Sequence, residues 1–221
     1  MAATDPGQMR MNPFPADIFT EPEPDPHTLR NLGPLTPLAG IWEGERGRDV
    51  QPAAEGTEEN TYIERYELQP IDAQTNGPQL YYGLRYHIRI VKPDEVETFH
   101  DQVGHWLWEP ASGTILQTLS IPRGQVALAI GKASPDAKTF ELVAMRGSEV
   151  NGICSNPFLE YAFQTVEYRI RVTINGDGTW SYTLDTTLLV RDRPEPFHHT
   201  DRNTLRKIGE PTPNPIARAA T

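Results

Sequence analysis

Cysteine is almost absent from this chain of 221 residues, which contains only Cys154. A lone cysteine excludes an internal disulfide, and the absence of a CxxC pair excludes a zinc site built on thiolates. No segment approaches the roughly 20 consecutive apolar residues that a membrane-spanning helix needs. The first residues, MAATDPGQMR, also lack the apolar core of a secretory signal. We therefore expect a cytoplasmic protein.

Positive charge is scarce as well. Lys and Arg number 20 against 30 Asp and Glu, which gives a formal net charge of −10. An acidic protein repels the phosphate backbone of nucleic acids, and no amphipathic basic stretch is present to bind an anionic membrane. The composition therefore predicts neither nucleic acid nor a membrane as a partner, and it leaves the oligomeric state open.

The motifs of common nucleophilic and nucleotide chemistry are missing. The sequence has no GxSxG elbow, no P-loop and no GxGxxG after a strand. Cys154 has no basic neighbour that would activate its thiol, and it lies in segment 147–161, which lacks any alternation. We interpret this segment as an irregular excursion between strands, with a helical turn, and Cys154 as an inert structural thiol.

What the sequence does contain is alternation with a period of two. Apolar and polar residues alternate in segments 79–91, 162–174 and 178–191, so each predicts a strand with one apolar face. The residues Asn175 to Gly178 (NGDG) join the last two segments and predict a hairpin. The arginines interleaved in these strands predict an outer, solvated wall: Arg85, Arg89, Arg169 and Arg171.

Turn residues divide the middle of the chain into ten predicted strands. These cover residues 41–48, 59–69, 79–91, 96–108, 114–120, 124–132, 138–146, 162–174, 178–191 and 198–208. Short connections make them antiparallel, and no long helix is available to cover an open sheet, so closure is the simplest way to remove the sheet edges. The prediction is an all-β, closed antiparallel barrel of the calycin or lipocalin type, wide enough to hold a ligand.

Proline is concentrated near the two ends of the chain. On this basis we predict a disordered Pro-rich arm over residues 1–33, a barrel domain over 34–208 and a flexible tail over 209–221. A short apolar stretch, LTPLAG, precedes the first predicted strand.

The histidines are the candidates for metal chemistry. His100 and His105 are separated by an odd number of strand residues, as are His198 and His199, so each pair projects to opposite faces. One histidine of the last strand therefore faces the barrel interior. One inward imidazole does not build a zinc site, but it can form the axial bond to a haem iron. A hydrogen-bonded or exposed histidine is the plainer alternative, and the residues alone leave both open.

Three segments, in order, resemble the nitrobindin family of haem-binding barrels. The first is GIWEGERG, from Gly40 to Gly47, which is similar to the GxWxGxG signature of that family. The second is FHDQVGHWLWEPASG, in which His100, Gly104, His105 and Trp106 stand at matching positions. The third is the closing FHHTDRNTLRKI, similar to the last strand of nitrobindins, which carries the proximal haem histidine.

This resemblance implies a protein that binds haem b with an open distal side. His199 is expected to be the iron ligand, with His198 as the fallback, and Asp201 and Asn203 share the face of His199. Trp42 is expected to plug the barrel base and, with Trp106, to help wall the pocket. Gln164 stands where many members have a lysine near the haem edge.

The resemblance also implies an activity, namely reaction of ferric haem with nitric oxide and isomerisation of peroxynitrite to nitrate. Two alternatives stay open. The same barrel without haem can bind a fatty acid or another small apolar molecule, with an inward arginine meeting its headgroup. The second alternative is a non-haem enzyme centred on the loop with Cys154, and no residue indicates what its substrate would be.

Overall fold

Ten long antiparallel strands close into a barrel in a computed structural model that describes residues 14–219. The first thirteen residues of the predicted arm and the last two of the predicted tail, 1–13 and 220–221, lie outside the described residues. The strands are β1 Gly40–Ala53, β2 Gly56–Pro70, β3 Gln74–Asn76, β4 Gln79–Val91, β5 Thr98–Glu109, β6 Thr114–Ile121, β7 Gln125–Lys132, β8 Thr139–Arg146, β9 Gly152–Ser155, β10 Phe163–Ile174, β11 Trp180–Val190 and β12 Phe197–Gly209. The α-helices are α1 Pro157–Ala162 and α2 Pro215–Ala219, and 3-10 turns cover Thr28–Arg30 and Gly33–Leu38.

The order of strands around the barrel is β2, β1, β12, β11, β10, β8, β7, β6, β5 and β4, and pairing of β2 with β4 closes the ring. These ten strands correspond one by one to the ten predicted from the sequence, so the closed all-β barrel is confirmed. Two short strands were not predicted. Strand β3 pairs antiparallel with β4. Strand β9 lies between β7 and β8, and it is antiparallel to β7 and parallel to β8. Segments of three or four residues are too short to show an alternation.

Alternation along the strands sorts side chains between the interior and the solvent. In β4, Leu84, Tyr86 and Ile88 are buried, whereas Arg85 and Arg89 at alternate positions are exposed. The arginines of β10 also lie on the outer wall, where Arg169 forms an ion pair with Glu167 at 2.9 Å. The predicted apolar inner face and charged outer face are therefore both present.

The glycines of the GIWEGERG motif allow a close approach between strands. The register of β1 against β2 shifts between Gly44 and Gly47, which marks a bulge. A Cβ atom at Gly47 would lie 2.0 Å from the ring of Tyr62, and one at Gly44 would lie 2.4 Å from the amide of Asn203. The bulge moves the inward positions of β1 from even to odd residue numbers, and this shift places Asp49 inside.

One end of the barrel is closed by the 3-10 turn Gly33–Leu38. Leu32, Leu35 and Leu38 are completely buried there. The indole of Trp42 donates a hydrogen bond to the carbonyl oxygen of Leu38 at 2.7 Å, which fastens the turn to β1. The predicted role of Trp42 at the barrel base agrees with this position.

Residues on both sides of the barrel domain pack against it. Thr28 is completely buried, and its backbone N–H donates to the side chain of Asn214 at 3.2 Å. Asn214 in turn donates to the carbonyl oxygen of Pro26 and to the carboxylate of Asp72. The described part of the predicted flexible tail, with α2, therefore lies against the barrel, as do residues 26–33 of the predicted arm. Their composition did not predict this, because hydrogen bonds between distant segments leave no local period.

Segment 147–161 contains β9 and most of α1. The side chain of Asn156 accepts hydrogen bonds from the backbone N–H groups of Phe158 and Leu159, which caps the helix. Cys154 is exposed on β9. The helical turn expected in this excursion is thus present. Among residues 14–219, no helix has both the length and the apolar composition needed to cross a membrane.

Candidate functional site

A cavity of about 370 Å³ lies inside the barrel. Its wall is mostly apolar and aromatic, with contributions from Tyr66, Ile88, Phe99, Leu119 and Leu188. Ile153 of β9 and Leu159 of α1 also line it, so the irregular segment borders the cavity. The volume lies in the range of roughly 300–1,000 Å³ that is usual for small-molecule sites.

His199 is the histidine of β12 that faces this cavity. Its Nε2 lies 2.7 Å from Oδ1 of Asp49 and 3.6 Å from Oδ2 of Asp201. Asp201 follows His199 by two residues on the same face of β12, and the register of β1 against β12 places Asp49 directly opposite Asp201. The local alternation and one strand pairing therefore bring the three side chains together.

The two carboxylates change the proton affinity of His199. Burial alone lowers the pKa of the imidazole, but the hydrogen bond to Asp49 and the charge of Asp201 outweigh it, so the pKa of His199 is raised. Burial and the neighbouring Asp49 raise the pKa of Asp201, although His199 opposes that shift. The cluster therefore retains a proton near neutral pH between the imidazole and the carboxylates.

His198 projects to the opposite side, as the parity of the strand predicts. Its Nδ1 lies 2.9 Å from the carboxylate oxygens of Asp185, and its side chain is 61% exposed. His105 also lies on the outer face, where Nδ1 is 3.5 Å from the hydroxyl of Thr118. Neither side chain lines the cavity.

A second histidine, His100 of β5, does line the cavity. Its Nε2 lies 3.3 Å from Oε1 of Gln102, and a guanidinium nitrogen of Arg123 lies 3.4 Å from its Nδ1. Burial and the charge of Arg123 lower the pKa of His100 to about 4, so the ring is neutral at pH 7. Arg123 itself, an exposed residue of the turn between β6 and β7, also lines the cavity.

A buried carboxylate is also among the polar groups of the cavity. Glu64 of β2 is 0% exposed, and its Oε2 accepts hydrogen bonds from Tyr182 and Asn203, each at 2.9 Å. Its Oε1 has no hydrogen-bond partner among the described residues. Burial, partly offset by Asn203 and Tyr182, raises the pKa of Glu64 to about 7.

Three other residues predicted at the site lie elsewhere. Trp42 and Trp106 are buried but do not line the cavity. Trp106 instead donates its indole N–H to the hydroxyl of Tyr66 at 2.8 Å and so supports a residue that does line it. Gln164 donates to the carboxylate of Glu160 at 3.4 Å and is also absent from the lining. These three residues therefore lie behind or beside the wall, and their contact with a cofactor stays a prediction.

Three residues of the site were not predicted from the sequence: Asp49, Glu64 and Arg123. Glu64 carried a signal, because it occupies the face that Tyr62 and Tyr66 share in β2. Asp49 carried none, because the bulge in β1 changes which residues face inward. Arg123 lies in the turn between β6 and β7, where alternation does not apply.

The residues present fit a haem group by the chemistry of their donors. A histidine that binds a metal commonly holds a carboxylate through its second ring nitrogen, which fixes the ring. His199 is bonded in this way to Asp49, and one ring nitrogen remains for an axial bond. The apolar wall suits a flat macrocycle, and Arg123 supplies a cation for anionic substituents.

Comparison with known proteins agrees with the fold. The model of the family described as "THAP4-like, heme-binding beta-barrel domain" matches residues 31–207. The crystal structure of Rv2717c from M. tuberculosis is similar to this structure, with a TM-score of 0.53 and 22% identity over 81% of this chain and 96% of that chain. A comparison with curated proteins gave no significant match. Since the family model covers most of the barrel domain, the chain belongs to the family of THAP4-like, heme-binding β-barrel domains, the nitrobindin family that its motifs resemble.

Proposed function

We propose that this protein binds haem b in the barrel cavity, with His199 as the single axial ligand from the protein. The observation that supports this most directly is the orientation of the two adjacent histidines. His199 faces the cavity with Asp49 on one ring nitrogen, whereas His198 is exposed and paired with Asp185 on the outer wall. His199 is thus the ligand of the proposal, and the fallback ligand His198 is set aside.

The chain's own residues would perform three tasks around the haem. Asp49 orients the imidazole of His199 and raises its basicity as a ligand. Leu119, Ile88 and their apolar neighbours exclude water from the cavity. Arg123 attracts anionic groups to the cavity. When bound, the haem iron would supply a coordination position for nitric oxide, and for peroxynitrite that is isomerised to nitrate.

His100, which lines the same cavity, is neutral at pH 7 because of its lowered pKa and carries one ring hydrogen. It therefore can donate or accept a hydrogen bond without adding charge to an apolar cavity. The reaction with nitric oxide or peroxynitrite, the b-type haem and the cytoplasmic location stay predictions.

The test is a titration of the purified, haem-free protein with haemin, followed by the Soret band. We expect a saturable band at one equivalent for the wild type and for His198→Ala, and its loss or a large shift in His199→Ala. An unchanged band in His199→Ala would disprove the role of that imidazole. Saturable binding that is lost only in His198→Ala would move the ligand to the outer wall.

A haem-free binding protein is the second candidate, and the position of Arg123 favours it. A guanidinium at the edge of an apolar cavity can pair with the carboxylate of a fatty acid. Binding of a fluorescent fatty acid that is abolished by Arg123→Ala, together with no Soret band at any haemin concentration, would support this second function over the first.

A further inference from the structure

The side chains of Asp49, His199 and Asp201 form a compact set of metal-ligand atoms. One ring nitrogen and one oxygen from each carboxylate all lie within 4.8 Å of one another. Each residue comes from a regular strand, and Asp49 and Asp201 are partners in the register of β1 and β12. The set is therefore held by the sheet rather than by a loop.

A second observation, an unpartnered oxygen of the buried Glu64, also favours a cation in the same cavity. Glu64 also lines it, is 0% exposed, and has Oε1 without a hydrogen-bond partner among residues 14–219. Buried carboxylates are normally paired, hydrogen-bonded or bound to a metal, because leaving water costs several kcal/mol per ion. Oε1 of Glu64 is therefore a buried polar atom of the cavity that no described residue satisfies.

Three acidic side chains line the cavity. They are Asp49, Glu64 and Asp201, and Arg123 and the imidazole of His199 line it with them. The other histidine that lines the cavity, His100, lies beside Arg123 and Gln102. A divalent ion bound at the cluster would pair with the two carboxylates and the imidazole that converge there.

We propose that Asp49, His199 and Asp201 form a binding site for a divalent first-row transition-metal ion in the haem-free protein. One imidazole and two carboxylates are donors that suit Zn²⁺, Co²⁺ or Fe²⁺. Three protein ligands leave positions open for water or for another small molecule, which is typical of catalytic rather than structural metal sites. The site goes beyond haem binding and does not depend on it.

The outer wall offers a matched comparison. His198 and Asp185 form another histidine–carboxylate pair, at 2.9 Å, but it has a single carboxylate and both side chains are largely exposed, at 61% and 41%. An exposed pair binds a metal ion weakly, because water satisfies its polar atoms. If metal binding required only a histidine next to an aspartate, both pairs would bind.

The test uses haem-free full-length protein, stripped of metal with a chelator and then titrated with Zn²⁺ by calorimetry and with Co²⁺ by visible absorption. We expect one equivalent to bind, with a cobalt spectrum typical of four or five ligands. In Asp201→Asn and in Asp49→Asn the Kd should rise at least about tenfold. In Asp185→Asn the Kd and the cobalt spectrum should be unchanged.

Thermal unfolding of the metal-free variants shows whether each one folds, and His199→Ala replaces either aspartate variant that does not, because this side chain is 29% exposed. Absence of stoichiometric binding, or equal Kd values in wild type and Asp201→Asn, would overturn the proposal. Loss of binding in Asp185→Asn would also overturn it, by assigning the metal to the outer wall. Haemin binding is followed separately by the Soret band, so failure of the metal site and failure of the haem site give different results.

Discussion

The hydroxyl of Tyr182 donates a hydrogen bond of 2.9 Å to the buried carboxylate of Glu64 across the barrel interior. Because its proton is used in this bond, Tyr182 accepts from the hydroxyl of Tyr62, which lies 2.9 Å away. Asn203 donates a further bond to the same carboxylate oxygen. Three strands are thus joined by one polar network within an apolar wall, and the other oxygen of Glu64 is left for a ligand.

The raised pKa of Glu64 predicts that stability falls as the pH rises. The folded state holds a proton on Glu64 up to about pH 7, whereas the unfolded chain releases it near the ordinary value of 4.5. Between these values the unfolded state binds fewer protons, so this group lowers the free energy of unfolding by up to about 1.4 kcal/mol per pH unit as the pH rises. Stability from this group is complete below pH 4.5 and is lost as the pH passes 7.

Glu64→Gln tests this relationship in haem-free and metal-free protein. The glutamine keeps an oxygen that accepts from Tyr182 and Asn203 and cannot ionise, so we expect the variant to be more stable than the wild type at pH 8 and similar at pH 4.5. Urea unfolding at four or five pH values measures the difference. Parallel pH profiles for the two proteins would show that Glu64 titrates normally.

Trp106 is predicted to stabilise the wall of the cavity through Tyr66 without contacting a bound ligand. The substitution Trp106→Phe removes the indole donor to Tyr66 and leaves a void at a residue that is 0% exposed, so we expect a loss of about 2 kcal/mol in the free energy of unfolding. Urea unfolding measures it, with the exposed Tyr161→Phe as a control within about 0.5 kcal/mol of wild type. Haemin added to the folded variant should give the wild-type Soret maximum, and a shifted maximum would place the indole against the cofactor.

Gly104 is predicted to tolerate no side chain. A Cβ atom at this position would lie 1.9 Å from the backbone carbonyl oxygen of Thr118 on the paired strand β6. Backbone oxygens in a sheet cannot move independently, so Gly104→Ala should cost about 1–3 kcal/mol of stability. At Gly176, in the hairpin between β10 and β11, an added Cβ meets nothing within 4 Å.

The matched control is therefore Gly176→Ala, which should be neutral or slightly stabilising because alanine reduces the freedom of the unfolded chain. Thermal unfolding of both variants compares the two positions directly. Equal melting temperatures for the two alanine variants would contradict the close approach of β5 and β6 at Gly104.

The strands and their faces follow from the sequence because alternation is a local property. Each long strand carries enough residues to display its period, and the parity of His198 and His199 requires no knowledge of the neighbouring strands. The motif glycines similarly predict where the first strand bends. The short strand β9 carries no such period, and neither do the two segments flanking the barrel, which are joined by the hydrogen bond between Thr28 and Asn214. These features were found only in the folded structure.

Local pattern therefore determined an all-β barrel, its ten long strands and one inward imidazole near the end of the chain. Only the folded barrel decided what surrounds that imidazole. Asp49 lies 150 residues before His199, and it turns inward because a bulge shifts the parity of β1 and because closure places β1 beside β12. The chemistry of the cavity depends on the pairing of these distant strands. Their register is set by packing around the whole barrel and cannot be predicted from either strand alone.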